Sequence, residues 1–145
     1  MDYPAIVIKD RRHLVAVFPD CPGCQTQTDS GEKIAGKARE ALEGWLESML
    51  AGRDVPRPPS SKVRRPRGAR VLRIEVPPLL AMRLSMIWAR RAAGLTQEQL
   101  ARKAKVSQQQ IAKLEHPDSN PTIETLERVA RALGARLHVE LEEAA

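Results

Sequence analysis

The chain has 145 residues, a formal net charge of +6, 2 cysteines and 3 histidines. This length suits one ordinary domain or two small ones, and two cysteines cannot build a disulfide framework, so a cytoplasmic protein is expected. No apolar run reaches the length of about 18 residues that a membrane span requires, and the opening MDYPAIVIKD lacks the layout of a secretory signal.

Residues 3–9 (YPAIVIK) and 13–18 (HLVAVF) are β-rich and joined by the charged turn DRR, which predicts a hairpin. Pro19 and Pro22 donate no backbone hydrogen bond, so PDCPGC must break the second strand; QTQT, Gln25 to Thr28, is a candidate third strand. Helical periodicity follows, with Asp29 or Ser30 as the expected cap. Ile34, Ala38, Ala41, Leu42, Trp45, Leu46 and Met49 form one apolar stripe that places Trp45 in the core, and Gly52 ends the helix. The segment 53–70 is proline-rich, basic and aperiodic, hence a loop. VLRIEVP then alternates, with Leu72, Ile74 and Val76 on the buried side and Val71 left on the polar one.

Helices are predicted over 79–94, 96–104, 107–115 and 122–134, the first and last stopped by Gly94 and Gly134. ARLHVEL, residues 135–141, alternates again and predicts a C-terminal strand. The fold class is therefore α+β: a small antiparallel sheet with one packed helix over residues 1–78, then an all-α domain with a terminal strand over residues 79–145.

Residues 1–60 carry 8 Lys/Arg against 9 Asp/Glu, whereas residues 61–78 carry 6 against 1 and residues 79–138 carry 10 against 5. A basic back half suits a polyanion. The run Lys62, Arg64, Arg65, Arg67, Arg70 and Arg73 fits either a phosphate-tracking strap or a solvated linker.

In the back half Thr96 with Gln99, and Ser107 with Gln110, have capping-box spacing. Two short capped helices with a three-residue turn have the geometry of a helix-turn-helix, with Leu100, Val106, Ile111 and Leu114 turned to a core and Ala101 at the close crossing. Gln108, Gln109 and Gln110 open the second helix, and glutamine offers adenine a matched donor and acceptor in the major groove.

GLTQEQLARKAKVSQQQIAKLE and NPTIETLERVARALG resemble the Cro and phage-repressor (XRE) type of helix-turn-helix, over about residues 80–134. That resemblance implies that Gln97 and Ser107 meet phosphates, that Gln108 and Gln109 read bases, and that Lys113 reaches a base edge or phosphate. It also implies that Arg90 and Glu115 tie the first helix to the third. Lys105 stands where such domains usually have glycine, at a cost of about 1 kcal/mol if it is left-handed. Such units dimerise to read two half-sites. A homodimer or higher even oligomer, with ARLHVEL pairing across a two-fold axis, is expected.

The two cysteines of FPDCPGC supply two ligands where a structural zinc site wants four, and no helix begins at them as a redox motif requires. Pro22-Gly23 instead predicts a tight turn whose second central residue has positive φ. DYPAIV, FPDCPGC, the helix after TQTDSG, and DVPRPPS are similar to the N-terminal domain of the HicB antitoxins. The resemblance implies a partial ribonuclease-H-like fold that binds and blocks a HicA-like RNA-cleaving toxin, while the back half represses the operon by binding double-stranded operator DNA. Asp20, Cys21, Gln25 and Gln27 are candidate partner contacts on an exposed loop. Asp2, Asp10, Asp20 and Asp29 are scattered, so no catalytic residue, metal or cofactor is expected. The alternatives are a stand-alone transcriptional regulator whose front domain senses a small ligand or metal, and a nuclease-like enzyme.

Overall fold

The computed structural model describes residues 1–144. Two β-rich runs and a two-residue turn give the hairpin β1 (Asp2–Asp10) and β2 (His13–Val17), with Asp10 paired to His13. Strand β3 (Gln25–Thr28) pairs with β2, and β4 (Arg70–Glu75) pairs with the other edge of β1. The sheet is antiparallel throughout, in the order β3-β2-β1-β4.

Side chains alternate across a strand, so the register sorts every residue onto one of two faces. Tyr3, Ala5, Val7, Ala16 and Ile74 share the buried face. Helix α1 (Ile34–Ala51) covers it with Ile34, Ala38, Leu42, Leu46 and Leu50, a stripe that returns every four residues. Ala41, Trp45 and Met49 flank that stripe and are half-buried rather than central. The Trp45 indole N–H donates to the Pro22 carbonyl at 3.2 Å, so the ring lies beside the CPGC bend.

The expected cap is not used. The N-cap position is Lys33, with no side-chain hydrogen bond. Asp29 leaves β3 opposite His13 and its carboxylate bonds the imidazole, while the Ser30 carbonyl accepts the Lys33 N–H at 3.1 Å in a turn before the helix.

Helix α2 (Pro78–Ala92) begins with proline at a position where no amide hydrogen is needed. It closes at Gly94, φ +69, where Leu95 N–H bonds the Arg90 carbonyl. Helices α3 (Gln97–Ala104), α4 (Gln108–Glu115) and α5 (Ile123–Ala132) follow, and Gly134, φ +72, stops the last. The chain separates into two compact units, Met1–Leu84 and Ser85–Ala145, with the division inside α2.

The predicted C-terminal strand does not form: residues 135–144 carry no strand. A strand needs an edge to pair with. Among the described residues ARLHVEL pairs with no strand, and Val139 and Leu141 are 65% and 97% exposed.

Candidate nucleic-acid interface

Both predicted capping boxes close. Thr96 Oγ1 accepts the Gln99 N–H at 3.1 Å, and Gln99 Oε1 accepts the Thr96 N–H at 2.9 Å. Ser107 and Gln110 repeat the exchange at 3.1 and 2.9 Å. Each box satisfies two amides that a helix start leaves without intrahelical partners. Between the two helices Lys105 is left-handed, φ 57 and ψ 44, and Val106 N–H returns to the Ala101 carbonyl at 3.0 Å. This single residue reverses the chain. Leu100, Ala101, Ala104, Ile111 and Leu114 are buried where α3 meets α4, while Val106 is only half-buried.

Because its inner face is occupied, α4 presents Gln108, Gln109, Ala112 and Lys113 to solvent. Ser107 is exposed beside them, at the end of α4 whose amides point outward.

Two expected DNA contacts have other partners. The Gln97 amide donates to Glu115 Oε2 at 2.8 Å and is half-buried. The Gln110 carbonyl is engaged by its own cap, with Ser107 Oγ a further 3.2 Å away. Arg90 grips Glu115 through two nitrogens at 2.5 and 3.0 Å, and its third nitrogen donates to the Leu95 carbonyl at 2.8 Å. With both side chains only 11% exposed, this pair anchors the end of α4 to α2, and Gln97 adds the start of α3 to the same carboxylate. The frame that holds α4 is thus polar and bidentate on one side, apolar on the other.

Helix α4 ends without glycine. His116 precedes Pro117 and is extended, ψ 137, as a residue before proline must tend to be. The Ser119 hydroxyl then donates to the carbonyls of Lys113 and His116. A cleft of about 550 Å³ opens there, bordered by Gln110, Lys113, Asn120 and Thr125.

In the front unit Cys24 N–H bonds the Cys21 carbonyl at 2.9 Å and Gly23 has φ +84, the predicted turn. Both cysteines are free and buried. Burial pushes the Cys21 thiol up to about 12 and the Cys24 thiol up to about 11. Cys21 is raised further by the neighbouring Cys24 and Asp20.

Asp20 and Cys21 are not exposed loop residues: they are 3% and 0% exposed. Asp20 is a staple. Its carboxylate accepts the Ser60 N–H at 2.8 Å and the Ser60 hydroxyl at 2.7 Å, with Arg57 Nη2 at 3.4 Å. Arg57 also donates to the carbonyls of Pro19 and Asp20, and its own carbonyl accepts the Tyr3 hydroxyl at 2.8 Å. Only Gln25 and Gln27 of the four candidate contacts are exposed, on β3. The remaining acids do not converge either: Asp2 pairs with Arg73 and Asp29 with His13. Among the described residues no group of three or more His, Cys, Asp or Glu side chains could hold a metal ion.

Residues 3–67 match the family model of the HicB-like antitoxin of bacterial toxin-antitoxin systems, and residues 86–139 match the helix-turn-helix model. Over 144 residues the chain is 27% identical to Antitoxin HicB 1 of Photorhabdus laumondii, covering 98% of this chain and 88% of that protein. Over 52 residues it is 48% identical to an uncharacterized HTH-type transcriptional regulator, y4dJ, of Sinorhizobium fredii, covering 36% of this chain and 66% of that one. A solved HicA3 and HicB3 toxin-antitoxin complex contains a chain that is 26% identical, with a TM-score of 0.48, covering 54% of this chain and all of that one.

Proposed function

From the premise that this chain carries a HicB-like antitoxin domain followed by a helix-turn-helix, we propose that it is the antitoxin of a type II pair: the front unit neutralises a HicA-like RNA-cleaving toxin and the back unit represses the operon encoding both. The observation that carries the DNA half is the capped helix α4. Its inner face is buried, its far end is tied to α2, and Gln108, Gln109 and Lys113 stand exposed along it. Glutamine amides so placed match the edge of adenine, and Ser107 at the helix start suits a phosphate. Gln97 and Gln110 hold the reading helix in place. A toxin is silenced by covering its active surface, which asks no catalytic group of the blocker. The chain acts in the cytoplasm, where operator and toxin both are.

Dimerisation completes the site. One head reaches too few base pairs for useful discrimination, and two heads about one helical turn apart read a palindrome. The segment 135–141 alternates apolar residues and pairs with no strand among the described residues, so a second copy supplies its partner strand.

The test is fluorescence anisotropy on the DNA upstream of the chain's own gene. Gln108→Ala and Gln109→Ala should each weaken specific binding by about 1–3 kcal/mol and leave binding to scrambled DNA unchanged. Promoter affinity unaltered in the double variant overturns the reading.

A further inference from the structure

Helix α1 covers one face of the sheet, and the other face also carries apolar side chains, some of them exposed. The register places Pro4, Ile6 and Ile8 of β1, Val15 and Val17 of β2, and Val71 of β4 together on that second face. Pro4 is buried, Ile6, Val15 and Val71 are half-buried, and Ile8 and Val17 are 40% and 37% exposed. An antiparallel sheet with one solvated face normally alternates apolar inside with polar outside. Here apolar residues sit in register on adjacent strands on the outer side too, an exposed apolar surface of the kind that marks interaction sites.

The border of this face is acidic. By the same register Asp2, Asp10 and Glu75 lie on it, and Asp29 joins it through His13. Its two basic groups are engaged. Arg73 is held by Asp2 at 3.4 Å and by the carbonyls of Ser60 and Ser61 at 2.9 and 2.7 Å, and His13 is bonded to Asp29. Among the described residues no ion pair engages Asp10 or Glu75. Arg11 and Arg12 stand outside the strands, in the hairpin turn. Gln25 and Gln27 add an amide margin along β3, where Gln25 lies beside Val17 and Gln27 beside Val15.

We propose that this open sheet face is the surface on which the toxin seats, and that its occupant is a basic protein presenting an apolar patch ringed by Lys or Arg. The proposal rests on the antitoxin reading above. A protein that cleaves RNA must hold phosphates, so its substrate surface is cationic, and an apolar face bordered by carboxylates complements it. A second copy fits less well: stacked about either two-fold axis in the plane of the face, Asp10 meets Asp10 or meets the Asp2 and Glu75 end, acid against acid. Occupation of this face excludes RNA from the toxin by competition.

The experiment uses the full chain and the purified HicA-type protein encoded beside its gene, with affinity measured by calorimetry. Ile8→Glu with Val17→Glu should weaken binding by about 50-fold or more, as loss of central apolar contacts does. Asp10→Lys with Glu75→Lys should weaken it by about 10-fold and flatten its dependence on salt. Circular dichroism melts verify that the variants fold. A variant-free measurement stands beside them: in methyl-labelled unmodified chain, toxin should shift Ile6, Ile8, Val15 and Val17 and leave Ile34, Leu42 and Leu46 beneath α1 in place. Unchanged affinity in both variants, or shifts confined to α1, overturns the surface assignment. So does a Val17→Glu chain that loses its oligomeric state yet binds toxin as before, which would make the face a self-interface. Failure of the unmodified chain to bind that protein overturns the antitoxin reading itself.

Discussion

Cys21 and Cys24 occupy a tight turn with their thiols inside the fold, and this sets their chemistry. A thiol ordinarily ionises near 9.0, and burial raises both well above that. The unfolded thiols therefore lose protons first as pH rises. Their contribution to stability is complete below about pH 9 and is lost on the way to about 11 for Cys24 and about 12 for Cys21. Urea unfolding as a function of pH should show that decline, and a Cys21→Ala, Cys24→Ala chain should show a weaker one. Thiol reagents at pH 8 should label the native chain slowly and the urea-unfolded chain at once, because only exposed thiolate attacks. Asp20, one residue earlier, is the more consequential side chain. Asp20→Ala would leave the Ser60 amide and hydroxyl and the Arg57 guanidinium without their carboxylate. The expected cost is about 2–3 kcal/mol, read as a fall in urea midpoint. The Pro-Gly turn was legible in the residues themselves, because only glycine takes its second position without strain. The burial of Asp20 was not, since its partners lie 37 and 40 positions away and chain-local patterns carry no such pairing.

At the scale of elements, local rules were followed wherever the deciding group was near in sequence. The two boxes Thr96–Gln99 and Ser107–Gln110 and the stops at Gly94 and Gly134 formed as spaced. Val71 turned outward as its parity required, and that outward turn is part of the open sheet face. The rules failed where a distant group competed. Asp29 went to His13 across the β2–β3 pair instead of capping α1. Lys105 is a strained point, non-glycine and left-handed, in the turn that orients α4. Lys105→Gly should raise stability by about 0.5–1 kcal/mol, after the greater freedom of glycine in the unfolded chain is counted. The measurement is the thermal midpoint of the back unit, and a fall would show that the lysine side chain contributes more than its backbone costs.

For the molecule as a whole, the function proposed gives the two units separate tasks and makes the terminal segment the place where a second copy enters. Alternation in ARLHVEL was plain in the sequence, yet alternation specifies a strand only when an edge is there to receive it. Leu137→Asp with Val139→Asp should therefore leave the fold of each unit intact, convert the oligomer to monomer in sedimentation, and weaken operator binding by about 100-fold through loss of the linked second head. A dimer that survives both substitutions places self-association elsewhere.

The internal pairing of arginines bears on how such a chain meets a polyelectrolyte. Arg73 is held by Asp2, Arg90 by Glu115, Arg102 by Glu98, Arg128 by Glu124 and Arg131 by Glu127. A guanidinium that stays with its carboxylate displaces no condensed cation from a duplex. The ionic-strength slope of association thus counts the lysines and arginines outside these pairs, among them the exposed Lys103 and Lys105 of the helix-turn-helix. In the function proposed, that slope reports the nonspecific grip, and the amides of α4 decide where on the DNA the chain resides.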